Sequence, residues 1–286
     1  MVSISSFYRT TTVTVAASNA PVWAKRQADF AADGAADDVQ IQAAINRLGS
    51  VGGTVFLSEG TFTISTRIDL KNRVMLRGSG MYATIINTST ASLFMAANDT
   101  DVPLTGAGIS DLTLDANSDT VADVTPITLD SAQHCEFDNL RILDCANKPA
   151  VDMVVKTDGS GRNVVGNHFG HLYINNASVG LFFRGVATTP TVCTLNMFDA
   201  VYMEAIQSIG IQFQGYADNN YFSKVYIALG ANNAFGVRHN TGVPASTNGV
   251  YANQFEMLAI DSFGITGATG IEFQTTKQNT IGAFFH

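Results

Sequence analysis

The most regular feature of the sequence is a short frame of polar and hydrophobic positions, N-x-F-x-x-L-x-I, that recurs through its second half. An asparagine and an aromatic residue lie two positions apart, and two aliphatic residues also lie two apart. The copies are CEFDNLRIL (135–143), NHFGHLYIN (167–175), NMFDAVYME (196–204), NYFSKVYIA (220–228), NQFEMLAID (253–261) and NTIGAFFH (279–286). A second frame, close to G-I-x-F, occurs at 150–153, 180–183, 210–213, 236–239 and 270–273.

The spacing inside these frames predicts three short strands in each repeat. Residues two apart share one face of a strand, whereas the aromatic and the first aliphatic residue are three apart and would face opposite sides of a straight strand. If both are buried, the chain turns a corner between them. Strands this short cannot bury a core individually, so the repeats must stack on one another.

The distance between successive asparagines indicates which kind of stack forms. It varies from 24 to 33 residues, whereas a leucine-rich repeat, which also stacks short strands, keeps to about 20–29 residues with a helix-like return. Fixed strands with variable insertions at one corner are typical of a parallel β-helix. The sequence therefore predicts an all-β fold, a right-handed single-stranded parallel β-helix (a three-sided solenoid), with a short N-terminal α-helical cap.

Stacking places equivalent side chains in columns about 4.8 Å apart, which predicts an internal aromatic column and an amide ladder at a bend. The predicted columns are Phe137, Phe169, Phe198, Phe222 and Phe255, and Asn167, Asn196, Asn220, Asn253 and Asn279. In NHFGH, His168 and His171 have no recurring third ligand, which indicates repeat positions rather than a metal or catalytic pair. Less regular coils precede these, at VMLRGSG (74–80), ISDLTLD (109–115) and PITL (126–129).

The cap is predicted from residues 37–49. Asp37 or Asp38 is a natural N-cap, and Gly49 ends the helix. Four apolar residues fall on one helical face, at Ile41, Ala44, Ile45 and Leu48, and would cover the open hydrophobic end of the solenoid. The chain divides into residues 1–24, a flexible lead-in or a strand that attaches to a partner, residues 25–60, the cap and first coil, and residues 61–286, the β-helix.

Composition narrows the possible partners. The 286 residues carry a formal net charge of −8 with a pI near 4.9, so we expect neither nucleic acid nor an anionic membrane, both of which call for a basic patch. No apolar run approaches the roughly 20 residues of a membrane span, and the N-terminus lacks the pattern of a signal peptide. Cys135, Cys145 and Cys193 are odd in number and not spaced as metal ligands, which predicts buried free thiols in a protein made in a reducing cytosol, with no metal or cofactor.

Residues 28–60 resemble the N-terminal signature of the pectate-lyase-like superfamily. The matching features are Asp29–Phe30, Asp33–Gly34, Asp37–Asp38, the predicted helix, Gly52–Gly53–Thr54–Val55 and Gly60 before Phe62. Residues 77–80 and 112–115 look like the same group, and the resemblance extends over about residues 25–286. It implies a parallel β-helix most like a bacteriophage tailspike or tail-fibre protein, which is typically a homotrimer that binds, and often cleaves, a bacterial surface polysaccharide.

The resemblance carries over no catalytic residue. Secreted polygalacturonases would show Asn-Thr-Asp, Asp-Asp, Gly-His-Gly and Arg-Ile-Lys in order, and only Asp37–Asp38, in the cap, matches. The Asp-Pro-His-Glu signature of alginate epimerases is absent from the sequence. No clustered aspartates with a basic arginine suggest a calcium-dependent pectate lyase.

Stacking geometry supplies candidate binding residues instead. The central residue of each L-x-I strand is expected to face solvent, which builds an aromatic ledge on successive coils. Sugars pack their flat C–H faces on such rings, and a tyrosine adds a hydroxyl for hydrogen bonding. The candidate substrate-binding residues are Arg141, Tyr173, Tyr202, Tyr226 and, just past the strand, Asn175. Tyrosines also favour any half-buried strand face or a subunit interface, so a structural role is the alternative.

Four outward carboxylates are the candidate catalytic residues. Glu204 and Asp261 lie two coils apart, about 9–10 Å on the backbone, which is compatible with the roughly 6.5–9.5 Å that inverting glycoside hydrolysis requires. Asp199 and Glu256, each following an inward phenylalanine, form a second outward column with Asp138. Most surface carboxylates are simply solvated, which is the alternative for each pair.

Three functions fit these features. The first is a phage-type spike in the virion tail, made in the host cytoplasm, that binds and in its enzymatic form cleaves a host surface polysaccharide. The second is a free-standing polysaccharide lyase or hydrolase, secreted or at the cell surface, and the third is a catalytically silent fibre or adhesin segment. The missing leader and odd cysteines favour the first over the second. The apolar end NTIGAFFH predicts either a longer protein or subunits that cover each other's ends, and both fit a homotrimer.

Overall fold

The computed structural model describes residues 11–49, 51–88, 94–97, 103–117, 124–155, 163–185, 192–215, 217–240 and 253–274. The last copy of the frame, NTIGAFFH with Asn279, lies outside these residues.

The described residues fold into two helices and twenty-three strands. They begin with β1 (Thr12–Ala16), α1 (Val22–Gln27), β2 (Phe30–Ala31), α2 (Asp38–Leu48), β3 (Gly53–Leu57), β4 (Gly60–Ile64), β5 (Ile68–Asp69), β6 (Val74–Arg77), β7 (Thr84–Thr88) and β8 (Phe94–Ala97). They continue with β9 (Leu104–Thr105), β10 (Gly108–Asp115), β11 (Ile127–Asp130), β12 (Ala132–Gln133), β13 (Glu136–Val154), β14 (Val164–Val165), β15 (His168–Arg184) and β16 (Cys193–Thr194). They end with β17 (Met197–Ile206), β18 (Ile209–Gln214), β19 (Ala217–Asp218), β20 (Tyr221–Leu229), β21 (Phe235–Asn240), β22 (Gln254–Asp261) and β23 (Thr269–Gln274).

Every strand pairing among the described residues is parallel, and equivalent positions of successive coils are in register. The fold is therefore the predicted parallel β-helix, and its strands form three walls. The aromatic wall holds the N-x-F strands, which are β1, β3, β6 and the first parts of β10, β13, β15, β17, β20 and β22. The tyrosine wall holds the L-x-I strands, which are β4, β7 and the following parts of the same six strands. The third wall holds the second frame, in β5, β8, β11, the last parts of β13 and β15, and β18, β21 and β23.

The predicted corner between the aromatic and tyrosine walls is confirmed. Phe169 and Leu172 are three residues apart, yet both are 0% exposed. In two coils the bend places a small polar residue in the left-handed region, with φ of 58° at Asp111 and 51° at Asn139. Short polar side chains tolerate this conformation better than branched or bulky ones.

The predicted phenylalanine column fills the interior. Ring centroids of successive phenylalanines from Phe137 to Phe255 lie 4.8, 4.5, 4.7 and 4.5 Å apart, with interplanar angles of 7–15°. Phe183 and Phe213, from the third wall, stack on each other and meet the edge of Phe222. Stacked and edge-on pairs each contribute about 0.5–1.5 kcal/mol beyond the burial of their area.

The predicted asparagine ladder is confirmed from Asn167 to Asn253. Asn196 shows the pattern, since its Oδ1 accepts the backbone N–H and the Nδ2 of Asn167 at 3.1 and 2.9 Å. Its own Nδ2 donates to Oδ1 of Asn220 at 2.9 Å and to the carbonyl of Val164 at 3.3 Å. Each amide therefore satisfies buried backbone groups of the preceding coil and bonds the amide side chains of both neighbouring coils.

A second sheet consists of five two-residue strands, β9, β12, β14, β16 and β19. In the sequence, each of them lies just before the aromatic-wall strand of its coil. The sequence frames did not predict this sheet. The residue between this sheet and the ladder turns through the left-handed region, with φ of 65° at Gly166, 55° at Leu195 and 50° at Asn219.

The helix α2 covers one end of the core, with four buried apolar residues as predicted, at Ile41, Ala44, Ile45 and Leu48. Asp37 occupies the predicted N-cap position, but it has helical backbone angles and its side chain makes no capping hydrogen bond. Its carboxylate instead accepts the backbone N–H groups of Gly34 and Thr63 at 2.7 and 2.8 Å. Asp38 likewise accepts the N–H of Ser65 at 2.7 Å. The two aspartates attach the cap to the first coil.

The described part of residues 1–24 contributes a strand to the sheet of its own chain. Strand β1 pairs in parallel with β2 and β3 of the same sheet, and Val13 and Val15 point into the core. The first coil therefore begins before the predicted boundary at residue 25.

The three cysteines are free and buried, as predicted. Burial raises the pKa of the Cys135 thiol to about 11 and raises the pKa of Cys145 and Cys193 still further. Thiols of this kind are chemically inert, since the thiolate is the reactive form. Neither helix in the described part of the chain has the length and apolar character needed to cross a membrane.

Candidate functional site

Three predicted tyrosines stack along the tyrosine wall. The ring centroids of Tyr173 and Tyr202 lie 5.7 Å apart, and those of Tyr202 and Tyr226 lie 4.7 Å apart, with interplanar angles of 13° and 10°. The strand register puts Arg141 on the coil before them and Ala259 on the coil after. Tyr202 is 37% exposed and the other two are half-buried. We call this column the tyrosine ledge.

Arg141 and Tyr82 extend the ledge at its N-terminal end. The Arg141 guanidinium carbon lies 5.3 Å from the ring centroid of Tyr82 and 5.9 Å from that of Tyr173. Tyr82 belongs to a turn that folds over the tyrosine wall, where the hydroxyl of Thr113 donates to the carbonyl of Met81. Sequence reasoning missed Tyr82, which is 73% exposed, because it lies outside both repeated frames.

Glu204 is the carboxylate most closely tied to the ledge. It accepts hydrogen bonds from the hydroxyl of Tyr173, from the hydroxyl of Tyr202 at 2.9 Å and from Nδ2 of Asn175 at 3.5 Å. Burial and the hydrogen bond to Glu204 raise the pKa of Tyr173 to about 12, and the bond to Glu204 also raises the pKa of Tyr202. The two phenols are thus protonated donors at neutral pH.

Glu204 also lies at a β-bulge. The pairing of β17 with β20 passes from Met203–Ile227 to Ile206–Leu229, so two residues of β17 face one of β20. The second of these, Ala205, has φ of 52°. Bulges redirect side chains and are frequent beside active sites.

The predicted partner of Glu204, Asp261, forms its own set of hydrogen bonds. Asp261 accepts the hydroxyl of Tyr226 at 3.2 Å and the backbone N–H of Phe263 at 2.9 Å. The burial of Tyr226 and its bond to Asp261 raise the pKa of that tyrosine. Two ladder steps separate Asp261 from Glu204, as predicted, with Ala228 between them. The structure thus places both carboxylates on one edge of the ledge without bringing them into contact.

An open groove of about 280 Å³ runs over the C-terminal half of the ledge. Tyr202 and Tyr226 lie on its floor, and His171 and Lys224 lie on the side away from Glu204. One edge of the ledge therefore carries the nitrogen-containing side chains of His171 and Lys224, and the other edge carries the carboxylates of Glu204 and Asp261. Such an arrangement matches a ligand with flat apolar faces and many hydroxyl groups, which both donate and accept.

The second predicted carboxylate pair lies on a different wall. Asp199 and Glu256 face outward from the aromatic wall, with Ser223 between them in the column. Hydrogen bonds from Tyr221 and Ser223 lower the pKa of Glu256. The structure therefore places the four candidate carboxylates in two sets on two different walls.

The strand register confirms that the two histidines of NHFGH occupy repeat positions, since His168 pairs with Met197 and His171 with Ala200. His168 is more than a repeat position, because its Nε2 lies 2.8 Å from Oδ2 of Asp199 on the next coil. His171 faces the groove on the tyrosine wall instead. The two histidines do not share a site, and no group of three or more potential metal ligands occurs in the described ranges.

Asp152 is a titratable residue that sequence reasoning missed. It lies on the third wall, only 8% exposed, with Oδ1 at 2.9 Å from Nε of Arg184. Burial raises the pKa of Asp152 to about 6, although Arg184 opposes the shift. The guanidinium of Arg184 stacks in turn on Phe182 at 4.2 Å. The sequence placed Asp152 at an outward frame position and gave no sign that neighbours cover it.

Comparison with known proteins agrees with this architecture. The family described as Rhamnogalacturonase A/epimerase, pectate lyase-like matches residues 27–229. No curated protein matches the sequence.

Solved structures with similar folds come from several sources. ORF18 of Geobacillus virus E2 is similar with a TM-score of 0.51 and 16% identity, over 82% of this chain and 56% of that one. The surface protein and adhesin PfbA of Streptococcus pneumoniae is similar with a TM-score of 0.51 and 13% identity, over 87% of this chain and 86% of that one. A tailspike protein of Escherichia coli bacteriophage HK620 reaches a TM-score of 0.36 at 14% identity, over 87% and 63% of the two chains, which is too low to support an argument. These identities establish similarity of fold alone.

Proposed function

The chain belongs to the Rhamnogalacturonase A/epimerase, pectate lyase-like family, and we propose that it is a tailspike-like receptor-binding protein that binds a bacterial surface polysaccharide along the tyrosine ledge. One observation carries the proposal. Three parallel tyrosine rings, continued by Arg141 and Tyr82, line one wall at the repeat distance of the coils. A glycan laid along this wall would meet a fresh aromatic surface at every coil.

Binding is tested with purified bacterial capsule and O-antigen polysaccharides. We expect at least one to bind, and Tyr202→Ala or Tyr226→Ala to weaken binding about tenfold, because each removes a stacking surface from the floor of the groove. Tyr221→Ala is the matched control, since Tyr221 is on the same coil as Tyr226 but faces out of the aromatic wall. Equal losses from all three variants would contradict a site on the ledge.

Cleavage by Glu204 is the second candidate, favoured by the position of this carboxylate at a bulge beneath two tyrosine hydroxyls. Glu204→Gln should abolish release of reducing ends from a polysaccharide that binds, while binding and thermal stability persist. Glu256→Gln, on the aromatic wall, should leave cleavage unchanged. Undiminished product release by Glu204→Gln would remove Glu204 from consideration, and release by neither the variant nor the parent chain would favour a silent adhesin.

A further inference from the structure

The helix α1 places a tryptophan over a cavity at the N-terminal end of the aromatic wall. None of the six residues of α1 is buried, and Trp23, the only tryptophan of the chain, is 61% exposed. Its side chain lines an open cavity of about 270 Å³ between α1 and the outer face of β1 and β3. No residue of the tyrosine ledge lines this cavity, so it is a separate site.

Most of the cavity lining is apolar. Phe56, which the register places beside Thr14 on the outer face of the aromatic wall, is its second aromatic side chain. Small aliphatic residues contribute further surface, at Val15, Ala16, Ala24 and Ala28. A concave apolar surface with a few polar groups is typical of a site for a small ligand.

The charge of the lining is negative. Glu59 is its only ionisable side chain, and this half-buried residue forms no side-chain hydrogen bond or ion pair with the described residues. The nearest cations have other partners. Nζ of Lys25 donates to the carbonyl of Ser18 at 2.9 Å, and Nε of Arg77 lies 2.9 Å from Oδ2 of Asp111. The described lining therefore combines aromatic rings and a carboxylate with no cation.

This combination matches one class of ligand. Aromatic rings attract a cation over their faces, and quaternary ammonium groups are recognised in this way. A quaternary ammonium has no N–H group, so an apolar lining suits it better than it suits a primary ammonium, which has three donors to satisfy.

We propose that the cavity binds a quaternary ammonium group, of the kind that choline carries, in contact with Trp23 and Phe56, while Glu59 balances its charge. This site is independent of the tyrosine ledge. The proposal therefore stands or falls separately from polysaccharide binding.

The test compares choline with 3,3-dimethyl-1-butanol, which has the same shape but carries carbon in place of the charged nitrogen. Both are titrated at one ionic strength, and the fluorescence of Trp23 reports binding directly because the chain has no other tryptophan. We expect choline to bind about tenfold more tightly, through the rings and the carboxylate together. n-Butylammonium, a primary ammonium, should bind more weakly than choline.

Two pairs of variants locate the site. Glu59→Gln should weaken choline binding about fivefold and leave that of the neutral alcohol unchanged, whereas Glu136→Gln, an exposed glutamate of β13, should alter neither. Trp23→Ala should abolish the saturation-transfer NMR signal of the choline methyl groups. Phe263→Ala, which removes a ring that is 96% exposed, should retain that signal.

Three outcomes would overturn the proposal. They are equal affinity of the parent chain for choline and the neutral alcohol, including no binding of either, choline binding that Glu59→Gln leaves unchanged, and n-butylammonium binding as tight as that of choline. None of them bears on whether a polysaccharide binds the tyrosine ledge.

Discussion

At the scale of single residues, Asn196 shows how one side chain holds three coils together. Its amide contacts Asn167, Asn220 and the carbonyl of Val164, and it is 0% exposed. Among the described residues, the Asn196 amide forms its hydrogen bonds with groups that water does not reach. Buried polar groups arranged in this way favour one register of the coils over its alternatives.

Asn196→Ala should lower the free energy of unfolding by about 2–4 kcal/mol, because it leaves the buried N–H of Asn167 without its acceptor and breaks the amide chain between Asn167 and Asn220. Urea denaturation followed by circular dichroism measures the change. Asn46→Ala on the exposed face of α2 is the control, with an expected effect below about 0.5 kcal/mol. A loss at Asn196 no larger than at Asn46 would mean that the ladder does not stabilise the fold.

The titration of Asp152 predicts that folding stability depends on pH, again at the scale of a single residue. Because burial raises its pKa from 3.8 to about 6, the folded chain holds this proton more tightly than the unfolded chain, and stability from this group falls as pH rises from about 4 through 6. Asp152→Asn remains neutral throughout. The stability of this variant relative to the parent chain should therefore rise between pH 4 and pH 7 in thermal denaturation, and a difference independent of pH would contradict the raised pKa.

At the scale of elements, the cap helix α2 depends on contacts outside the helix. Asp37 is 0% exposed and bonds two backbone N–H groups, one of them in β4. The helix is thus attached to the first coil by a carboxylate as well as by its apolar face.

Asp37→Ala should destabilise the chain by about 1–3 kcal/mol, since it removes the acceptor of two partly buried backbone N–H groups. Asp33→Ala is the matched control, because Asp33 is exposed and its hydrogen bonds from the N–H groups of Ala35 and Ala36 are open to solvent. Thermal denaturation of both variants checks the contrast, and similar melting temperatures would show that the apolar face alone holds the cap.

The elements also show what the sequence predicts and what it does not. In the second half of the chain, the two frames located the strands of all three walls because each frame repeats inward positions that must be apolar, such as Phe169 and Leu172. The two-residue strands of the short sheet carry no periodicity, and the turn with Tyr82 belongs to no repeat. At the site, register alone predicted the tyrosine ledge and the edge with Glu204 and Asp261. The contacts of His168 and the burial of Asp152 depend on side chains from neighbouring coils, which register does not specify.

At the scale of the whole molecule, the proposed tailspike role predicts a homotrimer. Sedimentation equilibrium or light scattering should return three times the chain mass of 30.4 kDa. The same measurement on Tyr226→Ala shows whether the ledge is an interface between subunits. A trimer that persists in this variant agrees with a ledge open to a glycan, whereas a monomeric parent chain would contradict the trimeric spike.

The variable number of residues between successive ladder asparagines has a consequence for the evolution of the tyrosine ledge. Residues 196–219 form one complete coil, with its own asparagine, inward phenylalanine and outward tyrosine. Tandem duplication of such a unit would lengthen the ledge by one ring without disturbing the register on either side. The number of sugars that the surface spans would then change by whole coils gained or lost, while point substitutions would alter only which sugar each coil prefers.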